Sequence, residues 1–157
     1  MQAAFCLLAL YAQQKIPEIT AESLSGQKVS LPAAAQGQPA LLIVGFTHAS
    51  QTQTQTRAWS QRARNLCPVW SIAVLEDVPR LVRGMAVHGI KSGTPKEEHG
   101  RFLLVYHGEK ELKAAAGFEQ PDDAYLLAID GAGAIRWRYH GPPTDAAAEQ
   151  LRGQCSR

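Results

Sequence analysis

ALLIVGFTHASQTQTQTRAW, residues 40–59, is the stretch that decides how this chain folds. Residues 40–46 are apolar or glycine without a polar break, the pattern of a strand buried on both faces. Thr47, His48, Ala49 and Ser50 read as a short polar turn. A helix follows, polar at first and apolar later through Trp59, Ala63 and Leu66. A buried strand that feeds a helix start brings free backbone N–H groups and the positive end of the helix dipole to one spot. In α/β proteins that spot is where reactive groups sit.

Working outward, residues 19–31 read as a β-hairpin turning at Ser25-Gly26-Gln27, and residues 32–39 as a loop with two prolines and a glycine. Beyond the helix, residues 69–75 (VWSIAVL) form a second buried strand, β-branched and aromatic enough to prefer that state. Residues 78–90 read as a helix with Leu81, Val82, Met85 and His88 near one stripe. A charged loop, a third apolar run over 102–106 and a short helix over 109–116 follow, the helix stopped by Gly117. Two strands, 124–129 and 134–139, face each other across the Asp130-Gly131 turn. Pro142 and Pro143 end the second, and Thr144 or Asp145 can cap a last helix with Ala147 and Leu151 on one face. The order is hairpin, β, α, β, α, β, α, β-hairpin, α. It implies an α/β fold, a mixed sheet covered on both faces.

At 157 residues the chain is one domain with room for a proper core. Its 16 basic residues against 14 acidic ones, with no basic stripe, exclude nucleic acid as a partner. The five histidines are scattered and no C-x-x-C or C-x-x-x-C occurs, so no metal and no cofactor is expected. Residues 1–12 contain an apolar run of signal-peptide length, too short to span a bilayer and followed at once by Gln13-Gln14-Lys15. They read as a signal peptide ahead of a domain over 16–157, with an ordinary apolar helix or strand as the alternative. The mature chain is expected to have no transmembrane span.

The frame resembles the strand, active-site turn and helix of thioredoxin-fold proteins, from about Ile16 to the chain end. The resemblance implies a thioredoxin-like three-layer α/β/α sandwich with a mixed sheet and an N-terminal β-hairpin. Thioredoxins carry C-x-x-C at this turn and peroxiredoxins T-x-x-C. Here Thr47-His48-Ala49-Ser50-Gln51-Thr52-Gln53 places Ser50 at the first cysteine position and Gln53 at the second. The family's cis-proline position, counted back from Asp130, falls on Ala124, with Pro121 three residues early. A non-proline cis bond costs about 2.5–4 kcal/mol, so this peptide is expected to be trans. Three departures, Ser50, Gln53 and Ala124, imply a degenerate redox site that also includes Thr47 and His48. Three readings of Ser50 remain open: a helix N-cap, a peroxidatic scaffold without its chemistry, and a serine nucleophile with His48 as base.

The chain also resembles the assembly factor for the membrane sector of mitochondrial ATP synthase and its bacterial relatives. That resemblance is carried by Tyr125-Leu126-Leu127, Ile129-Asp130, Ile135-Arg136-Trp137, Gly141 and Glu149-Gln150-Leu151. It implies a redox-inactive binding, assembly or chaperone-like factor that is not an enzyme. The partner would be a protein, including a membrane-associated one. Arg136 and Arg138, which share a strand face, are partner-binding candidates. The alternative is a divergent thiol-disulfide oxidoreductase or peroxiredoxin-like enzyme using Cys67. The thioredoxin arrangement also brings the ends of two same-face helices together at Cys67 and Cys155. In an exported protein it implies a disulfide there, and in a cytoplasmic one two ordinary thiols. The signal and this pairing go with an extracytoplasmic location, periplasmic or secreted. The alternative location is cytoplasmic or an organellar matrix.

Overall fold

The computed structural model describes residues 14–52 and 54–156, with the side chains of Gln51, Thr52 and Thr54 left outside that description. The expected signal peptide over 1–12, and Gln53, lie outside the described residues. Seven strands form one mixed sheet: β1 (Ile19–Ser23), β2 (Lys28–Leu31), β3 (Ala40–Gly45), β4 (Val69–Val74), β5 (Phe102–Val105), β6 (Tyr125–Ile129) and β7 (Ile135–His140). They lie in the order β2-β1-β5-β4-β3-β6-β7. Strands β3, β4 and β5 run parallel, and β1–β2, β1–β5, β3–β6 and β6–β7 pair antiparallel. The helices are α1 (His48–Thr52), α2 (Thr54–Ala63), α3 (Arg80–Ser92), α4 (Glu109–Ala116) and α5 (Asp145–Cys155).

Handedness decides the layers. The connections β3-α2-β4 and β4-α3-β5 step in one direction across the sheet. Right-handed crossovers therefore put α2 and α3 on the same face. Helix α5 joins them there: Trp59 and Ala63 of α2 and Ala147, Ala148 and Leu151 of α5 pack on Leu41, Ile43, Leu126 and Ala128. Helix α4 covers the other face, where Leu112, Ala115 and Ala116 meet Leu42, Val44, Ile72, Leu103, Tyr125 and Leu127. Strand β3 is buried along its whole length because helices cover both of its faces.

Local chemistry fixes the ends. Gly117 takes φ +69 at the close of α4, a conformation that β-carbon crowding makes costly for other residues. Gly133 sits at φ +83 in the β6–β7 turn, and a Cβ there would lie 2.8 Å from Pro32. Thr144 caps α5 by accepting from the Ala147 N–H at 3.1 Å.

Four local readings change. The loop over 32–39 contains a 3-10 turn at Ala33–Ala35, and the charged loop another at Lys96–Arg101. Helix α3 starts after Pro79, whose missing N–H suits a helix start. The largest change concerns the α3 stripe: Leu81, Val82 and Met85 face solvent, while Val87 and Ile90 pack on Leu24, Ala73, Leu75 and Leu104. Periodicity shows which residues share a face but not which way that face points.

Candidate functional site

The site end of the molecule lies where β3 leaves the sheet. Helix α1 begins there at His48, a turn earlier than the sequence suggests, because Thr47 caps it. The Thr47 hydroxyl accepts from the Ser50 N–H at 3.1 Å, while the Ser50 hydroxyl accepts from the Thr47 N–H at 3.0 Å. This reciprocal pairing is a capping box with serine in the acidic residue's place. It corrects the N-cap reading of Ser50: the cap is Thr47, and Ser50 stands three residues into the turn.

Ser50 is 0 % exposed, and its hydroxyl proton goes to the Thr47 carbonyl at 2.9 Å. A hydroxyl has one proton, so none is left for a side-chain base. His48 is exposed. A serine nucleophile needs an oriented base on its own proton, and this geometry assigns that proton elsewhere.

The loop before β6 closes over the turn. The Thr47 hydroxyl donates to Asp122 Oδ1 at 2.7 Å. Gln55, in the first turn of α2, spans the gap with both ends of its amide. Its Oε1 accepts from the Ala124 N–H at 2.9 Å, and its Nε2 donates to Asp123 Oδ1 at 3.2 Å. The second oxygen of Asp123 lies 2.9 Å from Nδ1 of His140, whose Nε2 is 3.5 Å from Glu119. The His140 ring stacks on Tyr125 at 5.2 Å, and the Tyr125 hydroxyl accepts from the Glu119 and Gln120 N–H groups at 2.7 and 2.8 Å. From the helix side, Trp59 Nε1 donates to the Gly141 carbonyl at 2.9 Å, and the Gly141 N–H donates to the Ala124 carbonyl at 3.1 Å.

Ala124 is buried, and the peptide before it is trans; among the described residues the cis bond is Leu31–Pro32. Thus the structure brings together Thr47, His48, Ser50 and Ala124 at one rim. Gln55, Asp122, Asp123 and His140 join them, though the sequence reading had given them no role there. The signal for them was weak: Gln55 sits inside a Gln/Thr alternation, and Pro121-Asp122-Asp123 resembles any turn. No group of three or more His, Cys, Asp or Glu among the described residues is placed to hold a metal ion.

Cys67 is not part of this rim. It follows the far end of α2, whose ten residues span about 15 Å at 1.5 Å each. There it forms a disulfide with Cys155 of α5, with Cα atoms 5.4 Å apart. Arg136 and Arg138 share a face on β7, and each is engaged within the chain. Arg136 chelates Asp130 Oδ2 at 3.0 and 2.8 Å, and Arg138 donates to the Ala115 carbonyl at 2.7 Å and to Gln14. Burial alone would raise the Asp130 carboxyl's pKa. The Ala134 and Ala132 N–H groups and Arg136 outweigh that and hold it below the usual carboxylate value.

No family model and no curated protein matches the sequence. Solved structures match the fold. The thioredoxin domain of a thiol-disulfide oxidoreductase from Bacteroides vulgatus aligns with TM-score 0.60 at 14 % identity, covering 91 % of this chain and 96 % of that one. A member of the Sco family of cytochrome c oxidase assembly proteins aligns with TM-score 0.59 at 12 % identity, covering 92 % and 95 %. The exposed lipoprotein thioredoxin of Streptococcus pneumoniae gives 0.57 at 11 % identity, covering 87 % and 99 %. At such identities the likeness is one of fold.

Proposed function

With a thioredoxin-like fold as the premise, we propose that this chain is a redox-inactive binding protein, an assembly or chaperone-like factor that holds a protein partner. The observation that carries the reading is Ser50. The third residue of the site helix is a buried serine whose proton is committed to the Thr47 carbonyl. A hydroxyl is scarcely ionised near neutral pH, whereas a cysteine titrates near 8.5, so serine cannot supply the thiolate on which this fold's thiol chemistry depends. The rim keeps a shaped surface from Thr47, Asp122, Asp123 and His140 without a thiol among them. One fold neighbour belongs to an oxidase assembly family, which is the kind of role proposed here. A factor for the membrane sector of ATP synthase is the specific form suggested by the Ile135-Arg136-Trp137 hairpin.

The test is activity. Purified protein should reduce insulin and consume peroxide at background rates, with or without a thiol donor. A rate above background that disappears in Cys67→Ser would favour the second reading, a divergent thiol oxidoreductase. That second reading draws on the neighbours' oxidoreductase descriptions and on the presence of a disulfide.

An extracytoplasmic location is proposed with this role, because a disulfide closing an 88-residue separation persists in oxidising compartments. Mass spectrometry of protein extracted without reductant should show Cys67 and Cys155 resistant to alkylation until reduced. Immediate alkylation of both would place the protein in the cytoplasm or an organellar matrix.

A further inference from the structure

Among the described residues, the large apolar side chains left in water are Leu81 at 98 % exposure, Met85 at 77 % and Val82 at 44 %. All three belong to α3. The helix is seated through Val87 and Ile90, and Arg83 on its inner side donates to the Val78 and Glu76 carbonyls and stacks over Tyr106 at 4.8 Å. Its outward stripe is Leu81, Met85 and His88, with Val82 beside them. Exposed Arg80 and Lys91, three turns apart, run along one flank, and neither is in an ion pair with another described residue. Beyond the other flank lies a 390 Å³ cleft with Gly89 on the α3 side and Arg57 and Arg64 on the α2 side.

The charge is arranged to match. Residues 54–101, which form α2, β4, α3 and the 3-10 turn after it, carry eight Lys or Arg and four Asp or Glu. The rest of the chain carries eight basic and ten acidic residues. The net positive charge of the protein is therefore concentrated in the segment that builds this face, although Asp77, Glu97 and Glu98 oppose it there. Helix α3 itself has no acidic residue.

We propose that α3 seats this protein on a membrane surface with anionic lipid headgroups. Leu81 and Met85 enter the headgroup–acyl boundary, and Arg80, Lys91 and Arg64 face the phosphates. An amphipathic helix with an apolar stripe and basic flanks lies in that interface, and each nearby cation adds attraction to an anionic leaflet. A bilayer with anionic headgroups fits because exposed Leu81 and Met85 stand beside the basic flank of Arg80 and Lys91 on a helix that carries no acidic residue. A bilayer needs only apolar projection and positive charge, and this stripe supplies both. A phosphate backbone would leave Leu81 and Met85 without a use. No described helix is long and apolar enough to cross a membrane, so this contact is peripheral. The inference stands apart from the redox-inactive reading, and its test involves no thiol chemistry.

The experiment is flotation of the full chain with phosphatidylcholine vesicles and with mixed phosphatidylcholine–phosphatidylglycerol vesicles. The wild type should float with the mixed vesicles, and Leu81→Ser/Met85→Ser should bind about tenfold less or worse. Arg80→Gln/Lys91→Gln, or high salt, should weaken binding to the mixed vesicles alone. Circular dichroism and thermal melting verify that the variants fold, and Leu81→Gln alone replaces the double variant if that one does not. Failure of the wild type to float overturns the proposal. So does flotation undiminished by the Leu81/Met85 change, which would assign attachment to residues 1–13 or to another surface.

Discussion

Helices α2 and α3 lie on the same face of the same sheet, and they bury their apolar residues in opposite senses. Helix α2 has a polar sequence, yet its one large aromatic, Trp59, is 0 % exposed and fixed by a hydrogen bond to Gly141. Helix α3 is the more apolar of the two by sequence, yet its clearest stripe faces water. The difference lies in what covers each helix. α2 has α5 beside it and a two-sided contact to fill, whereas α3 meets the sheet over β4 and β5 with no described element covering its outer face. Apolar spacing therefore measured stability in α2 and surface chemistry in α3.

The contrast can be tested by substitution. Trp59→Ala should cost about 3–5 kcal/mol, because it opens a cavity and leaves the Gly141 carbonyl without its donor. Leu81→Ala should lie within about 0.5 kcal/mol of the wild type, as for an exposed position. Denaturant unfolding measures both, and a large loss at Leu81 would show that α3 has a hidden partner in the fold. Next in size, Cys155→Ser should cost about 2–4 kcal/mol, since it releases the tie between the far ends of α2 and α5. Wild type in reductant should reproduce that loss, while α3 substitutions add to it independently.

Gln55→Ala should cost about 1–3 kcal/mol by leaving the buried Ala124 N–H unpaired. Amide exchange at Ala124 should accelerate while the α3 amides stay unchanged. Among the destabilising changes, the smallest effect is expected at Asp130→Asn. Asp130 has a lowered pKa in the folded state, so its carboxylate contributes stability that is complete above the unfolded value of about 3.9 and is lost as the pH falls through the folded one. The variant should be the less stable protein at neutral pH, and the gap should narrow on acidification below about pH 4. Equal gaps at both pH values would show that its hydrogen bonds, not its charge, hold the β6–β7 turn.

Most of the frame was legible in the chain because it rests on short-range rules. An unbroken apolar run marked β3, Asp130-Gly131 marked the hairpin, and Gly117 marked the end of α4. The unread parts depended on position in three dimensions. Thr47 and Ser50 are both good capping residues, and which one caps depends on where β3 stops. The outward turn of Leu81 and Met85 follows from the longer-range contacts of Val87 and Ile90. Gln55 is one glutamine in a Gln/Thr alternation until the loop before β6, far along the chain, arrives beside it.

The Gln55 clasp has a consequence for how any partner is met at the rim. An extended peptide can pair with a free backbone N–H as an added strand does. Here the Ala124 N–H already holds a tethered guest, because the Gln55 amide is attached to the same molecule and is always present at high effective concentration. An incoming peptide would have to displace that internal competitor before it could pair with the backbone. Any recognition at this rim would then have to rest less on main-chain pairing, which accepts many sequences, than on side-chain shape, which accepts few.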